Sequence, residues 1–187
     1  VMSNQQSAIS HQPSAIGKVW KYGDAINTDL LFPGRHTYTA RGEKEIAEHA
    51  LEDLDPRFAK EVKKGDVIVA GKNFGNGSSR EQAVTCLTYN GVAAVIAKSF
   101  ARIFFRNGLN QGFPLITCPE VVDAAKEGDE IQIDLKRSVV ILNDKEYPFP
   151  PFSPSAVEML ELGGLIPQIR KRLGITSTEE VKVSSGE

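Results

Sequence analysis

Cysteine is scarce in this chain of 187 residues: Cys86 and Cys118 stand alone, with no second cysteine or histidine at a metal-ligand spacing. That scarcity excludes a structural zinc finger or a self-contained iron–sulfur site in this chain and fits a reduced, cytoplasmic protein. The histidines are equally sparse, with His11, His36 and His49 scattered along the sequence. No apolar run approaches the roughly 20 residues that a membrane span requires, and the first residues have no hydrophobic stretch of the secretory kind. An excess of one charge sign is missing too. A net charge of −2 and a pI near 6.0 leave no electrostatic footprint for nucleic acid or an anionic membrane.

What is present is length enough for one well-buried core. Residues 1–14 are rich in Ser and Gln without apolar periodicity and read as a disordered or tag-like arm. Residues 15–174 read as one folded domain, and residues 175–187 as a polar tail. Within the domain, Ala15–Tyr22 alternates like a strand, Gly23–Asp29 is turn-like, and Arg35–Arg41 is a polar connector. Glu43–Leu54 carries apolar residues at helical spacing, and Asp55-Pro56 reads as the next helix start.

The run Asp66–Ala70 and the continuous apolar run Val92–Ala97 predict strands covered on both faces. Helices are expected over Gln82–Asn90, closed by Gly91, over Phe100–Leu109, and over Pro119–Lys126. Phe113–Thr117 is a third strand of the same set. From Glu130 the period changes to two, so Ile131–Leu135 and Val139–Leu142 predict a hairpin. Pro148, Pro150 and Pro151 break regular structure before two further helices, Ser153–Leu162 and Leu165–Leu173. The fold class is α/β, a central parallel βαβ core with an added antiparallel hairpin.

The densest chemical signal is Gly71-Lys-Asn-Phe-Gly-Asn-Gly-Ser-Ser-Arg-Glu81, a glycine-rich turn between a strand and a helix. It is not a Walker loop, which needs Lys then Ser or Thr after its last glycine, nor a dinucleotide fingerprint, which needs a third glycine where Arg80 stands. On spacing alone Ser78 or Ser79 reads equally as a helix N-cap and Arg80 as a surface residue. The clustering of two hydroxyls and a guanidinium beside glycines suits instead a carboxylate or phosphate. No histidine lies near enough in sequence to make a hydrolase triad. A serine at this helix mouth, its alkoxide held by helix N–H dipoles and a guanidinium that also bind a carboxylate, suits proton abstraction beside that carboxylate.

This stretch, followed by Val95-Ile-Ala-Lys-Ser-Phe-Ala-Arg-Ile-Phe-Phe-Arg-Asn107, resembles the small subunits of the aconitase superfamily, of the isopropylmalate dehydratase and homoaconitase type. Gly23-Asp-Ala-Ile-Asn-Thr-Asp-Leu-Leu-Phe-Pro-Gly-Arg35 and Glu52-Asp-Leu-Asp-Pro-Arg-Phe58 are similar to that family as well. The resemblance implies a swivelling β/β/α domain that works with a separate large subunit carrying a [4Fe–4S] cluster. It implies a hydro-lyase that moves a hydroxyl between adjacent carbons of a hydroxy-dicarboxylate or tricarboxylate. It places Ser78 as the catalytic base and Ser79 and Arg80 as carboxylate binders.

Arg35 and His36 fall on the family's substrate-facing loop, where the next residues commonly begin Tyr-Leu; here they are His36-Thr37-Tyr38-Thr39. Asn76 and Gln82 stand where many relatives have Cys and His. Arg102 and Arg106 read as structural or interface residues, and Cys86 as a packed thiol. The substrate expected first is 3-isopropylmalate, in leucine biosynthesis, with homoaconitase or a dimethylmalate-type dehydratase as the alternative. An anion- or nucleotide-binding regulatory module is the alternative of another class. The isolated chain is expected to cover its partner-facing surface in a homo-oligomer.

Overall fold

Four-residue runs of Val, Ile and Ala with no polar interruption are stable only where both faces are covered, and they form the centre of the sheet. The computed structural model describes residues 16–175, so the expected arm and almost all of the expected tail lie outside the described residues. In chain order, β1 (Gly17–Lys21) leads through α1 (Thr28–Leu31), α2 (Gly42–Glu48) and α3 (Phe58–Glu61) into β2 (Val67–Ala70). Next come α4 (Gln82–Tyr89), β3 (Ala94–Ala97), α5 (Arg102–Asn110), β4 (Leu115–Thr117) and α6 (Pro119–Ala124). Then β5 (Glu130–Asp134), β6 (Val139–Leu142) and β7 (Lys145–Pro148) precede α7 (Pro154–Leu162) and α8 (Leu165–Arg172).

The strands form one seven-stranded, curled sheet in the order β4-β3-β2-β1-β5-β6-β7. β1, β2, β3 and β4 run parallel, with Ile68 opposite Val95 and Val95 opposite Leu115. β5 is antiparallel to β1, and β6 and β7 continue as a meander. Alternation within each strand divides the core between the two faces. Ile68, Ala70, Val95 and Ala97 pack on one face with Phe58, Leu87 and Phe104. Val67, Val69, Ala94 and Ile96 pack on the other with Val121, Ile131 and Val140. Asp66 joins β1 to β2: its buried carboxylate accepts from the backbone N–H of Lys18 and of Lys63, each at 2.9 Å, and from Trp20 Nε1 at 3.0 Å. Three donors on one carboxylate offset the cost of burying it.

Three elements differ from the sequence reading. The helix expected to reach Leu54 ends at Glu48, because buried Leu51 takes a positive φ of 55° and gives its N–H to Leu31 O. The next helix starts at Phe58 rather than at Asp55-Pro56, since the Asp55 carboxylate binds Arg57 through its backbone N–H and its guanidinium. The hairpin gains a third strand, β7, ending at Pro148. Proline is tolerated there because β7 is the edge of the sheet, where a missing donor costs nothing. No helix among the described residues is long and apolar enough to cross a membrane.

Candidate active site

The loop from Gly71 to Glu81 leaves the carboxyl end of β2, where ligands of parallel α/β sheets gather, and is braced on both sides. From the β1 side, Gly71 N–H donates to Gly23 O at 2.9 Å, Gly75 N–H to Ile26 O at 2.7 Å, and Thr28 N–H donates to Asn76 O at 2.8 Å. From the β3 side, Phe74 N–H donates to Ser99 O at 3.0 Å and Ala101 N–H to Phe74 O at 2.9 Å. These backbone bonds set the loop's path, and side chains add to them where Lys72 N–H donates to Asp24 Oδ1 at 2.7 Å and Asn73 N–H to Ser99 Oγ at 2.8 Å. Gly75 and Gly77 carry positive φ values of 78° and 100°, the region where a side chain is penalised.

The expected helix mouth is corrected here. α4 begins at Gln82, and its cap residue Glu81 makes no side-chain capping bond. Ser78 and Ser79 lie ahead of that start and cap nothing. They face the first turns of the next helix, α5, across a cleft of about 450 Å3 lined by Thr28, Gly77, Ser78, Ser79, Arg80, Arg102, Arg106 and Asn107, among others. The structure thus brings three of the five expected site residues together. Thr28 Oγ1 donates to the backbone carbonyl of Ser78 at 2.9 Å, which fixes the main chain and leaves the Ser78 hydroxyl without a partner among the described residues. Asn107 Nδ2 donates to Ser79 Oγ at 2.9 Å. Arg80 pairs with Asp29 and donates to Phe32 O at 3.2 Å. Gly34 makes room for it, since a Cβ there would lie 3.0 Å from Arg80 Nη2.

Thr28, Asp29, Arg102, Arg106 and Asn107 complete the cleft or hold its residues, and none was singled out for that from sequence. Only for Thr28 and Asp29 was a local signal present. Asn27-Thr28-Asp29 before Leu30-Leu31 is a capping signature, and Asn27 Oδ1 indeed accepts from Leu30 N–H at 2.9 Å.

Arg35 and His36 are outside the cleft lining. Arg35 makes a two-pronged bond to Asp53, at 2.7 Å on both prongs, and also reaches Glu52. Glu52 also takes His36 Nε2 at 2.9 Å and His49 Nδ1 at 2.5 Å. The two imidazoles, 13 positions apart in sequence, stack with centroids 3.6 Å apart and planes within 6° of parallel. His36 and His49 are therefore together in space. Their ligand atoms and a Glu52 oxygen lie within 4.8 Å of one another, but lone pairs in two parallel planes do not converge on one ion, and Arg35 already occupies the carboxylate.

Burial opposes ionisation of Glu52, yet the hydrogen bonds from His36, His49 and Arg35 outweigh it and hold the carboxyl at about 2. A carboxyl depressed from its ordinary 4.5 stabilises the fold above that value and loses its contribution as pH falls toward 2. Glu52→Gln is therefore expected to lower the melting temperature at pH 6, with the deficit against wild type shrinking steadily on acidification below pH 4.5. A pH-independent deficit in thermal melts would show that the carboxylate's charge contributes nothing.

The cysteines lie on opposite faces of the sheet, Cys86 in one core cluster and Cys118 in the other, and burial pushes both thiols up. That donor set does not fit an iron–sulfur cluster, whose ligands must converge as thiolates.

Residues 24–121 match the family described as the aconitase C-terminal domain. A 3-isopropylmalate dehydratase small subunit from Thermodesulfovibrio yellowstonii is 46% identical over 168 residues, covering 89% of this chain and 98% of that one. Another, from Aquifex aeolicus, is 48% identical over 160 residues, covering 84% and 95%. The crystal structure of a 3-isopropylmalate dehydratase from Methanocaldococcus jannaschii superposes with a TM-score of 0.81 at 42% identity, covering 88% of this chain and 97% of that one. With its sheet order, its braced serine loop and near-complete coverage of these relatives, the chain belongs to the family of 3-isopropylmalate dehydratase small subunits built on the aconitase C-terminal domain.

Proposed function

We propose that this chain is the small subunit of a 3-isopropylmalate dehydratase, a hydro-lyase of leucine biosynthesis that acts together with a large subunit. The observation that carries the reading is the joining of Ser78, Ser79 and Arg80 in one cleft in a chain that spans 98% of a relative of that name.

The reaction removes a proton from the carbon beside a carboxylate and hydroxide from the adjacent carbon. The C–H electron pair becomes the alkene, the C–O bond breaks, and re-addition of water in the opposite sense gives the isomeric hydroxy-diacid. Ser78 is the proposed base. Its hydroxyl has no partner among the described residues to compete for the proton, and the guanidinium groups around the cleft favour its ionised form. Ser79, oriented by Asn107, and Arg80, oriented by Asp29, hold the carboxylate next to the acidic C–H. Arg80 spends Nη1 on Asp29 and Phe32 O, so its remaining N–H groups are the ones offered to substrate.

Expelling hydroxide calls for a Lewis acid. The [4Fe–4S] cluster of the large subunit would supply it. Arg35 and His36 enter the proposal as selectivity residues, and a direct substrate contact requires Arg35 to leave Asp53.

The test is reconstitution. Neither subunit alone should turn over 3-isopropylmalate, and the anaerobically assembled pair should form both the unsaturated diacid and the isomer. Turnover of a longer tricarboxylate in preference would move the substrate to the homoaconitase side. No turnover of any such acid would overturn the reading.

A further inference from the structure

Arg102 and Arg106 sit one turn apart on α5, exposed, and both line the cleft that holds Ser78. Two local rules are broken to place them there. Arg102 is the first residue of its helix, where a cation opposes the helix dipole, and like charges at i and i+4 repel. No carboxylate among the described residues pairs with either, whereas Arg35, Arg57, Arg80, Arg137 and Arg172 all have one. Arg80, across the cleft, is already neutralised by Asp29. The cleft therefore carries an uncompensated charge of two positive units, both from α5. Locally unfavourable choices of this kind collect where function requires them.

A hydroxy-dicarboxylate is a dianion, and a single neutralised arginine does not match it. We propose that Arg102 and Arg106 are substrate-binding residues that hold the second carboxylate of the diacid, the one remote from Ser79 and Arg80. This rests on the hydro-lyase reading above and adds to it a two-ended clamp within the small subunit. Guanidinium groups suit the task because each presents a planar pair of donors to a carboxylate.

The experiment uses the assembled two-subunit enzyme. Arg102→Gln and Arg106→Gln should each raise KM for 3-isopropylmalate about tenfold or more with a smaller change in kcat, as expected for loss of a hydrogen bond to a charged group. Arg106→Lys should recover part of the loss. The two monomethyl esters of the substrate supply the second readout. With one of them the wild-type and doubly substituted enzymes should have the same KM, because the carboxylate that the arginines hold is no longer charged.

Affinity for the large subunit and melting temperature are measured on the same samples. Unchanged KM overturns the proposal. So does weakened assembly with normal KM at saturating large subunit, which would make the pair a docking contact. Intact turnover by Ser78→Ala is a separate outcome that removes the hydro-lyase chemistry of this cleft, whatever the arginine variants do.

Discussion

Replacing Ser78 with alanine should lower kcat of the assembled enzyme by about 10²–10⁴-fold while KM changes little, the range expected when a positioned base is removed. The contrast between the two parameters follows from what Ser78 does in the loop. Its structural contact is made by the backbone carbonyl, which accepts from Thr28 Oγ1 at 2.9 Å. Alanine keeps that carbonyl, so the loop's path and the positions of Ser79 and Arg80 survive. Only the hydroxyl is lost, and it has no partner among the described residues.

Ser79→Ala is different in kind, because it releases Asn107 and removes a proposed carboxylate contact, so its effect belongs in KM. Melting temperature and subunit assembly of Ser78→Ala should match wild type. A variant that kept a tenth or more of wild-type kcat would assign the proton to another group.

The parallel core is legible in the sequence because uninterrupted apolar runs at 67–70 and 92–97 have few other homes. The glycine loop is legible because its residues are contiguous. Its neighbours are not contiguous, and that limits what pattern reading sees. Thr28 meets Ser78 and Asp29 meets Arg80 across 50 and 51 positions, and α1 is only four residues long, too short to show a helical period. The assumption that a serine before a helix caps that helix is local reasoning of the same kind. Here the loop passes over α4 without using it and turns its serines toward α5, because backbone bonds from residues 99–101 hold it there. His36 and His49 show the same limit, since their meeting on Glu52 depends on the turn after α2 rather than on any repeat in sequence.

Gly75 is the residue that lets α5 approach the loop, and Gly75→Ala is expected to cost about 3 kcal/mol in stability and most of the activity. Two penalties combine. A φ of 78° charges any L side chain about 1–2 kcal/mol. A Cβ there would also lie 2.1 Å from Cγ and 2.6 Å from Cβ of Phe104. The obstacle is the root of a buried ring, which stacks edge-on with Phe74 at 5.5 Å, so it cannot swing aside as a flexible tip would. Relief requires α5 to move away from the loop, and α5 carries Asn107, Arg102 and Arg106.

Gly128→Ala separates the two penalties. Gly128 has nearly the same φ, 81°, with nothing within 4 Å of its added Cβ, so it should lose only the conformational part and leave turnover unchanged. In a Phe104→Ala background the cost of Gly75→Ala should fall toward that conformational part without reaching it, because alanine removes Cγ and the ring but keeps the Cβ at 2.6 Å, a coupling that denaturant titrations of the four variants would measure. Additive costs for Gly75 and Phe104 would mean that the ring does not set the approach of helix to loop. Strong coupling would mean that the position of the second cationic wall of the cleft is decided by the absence of one methyl group.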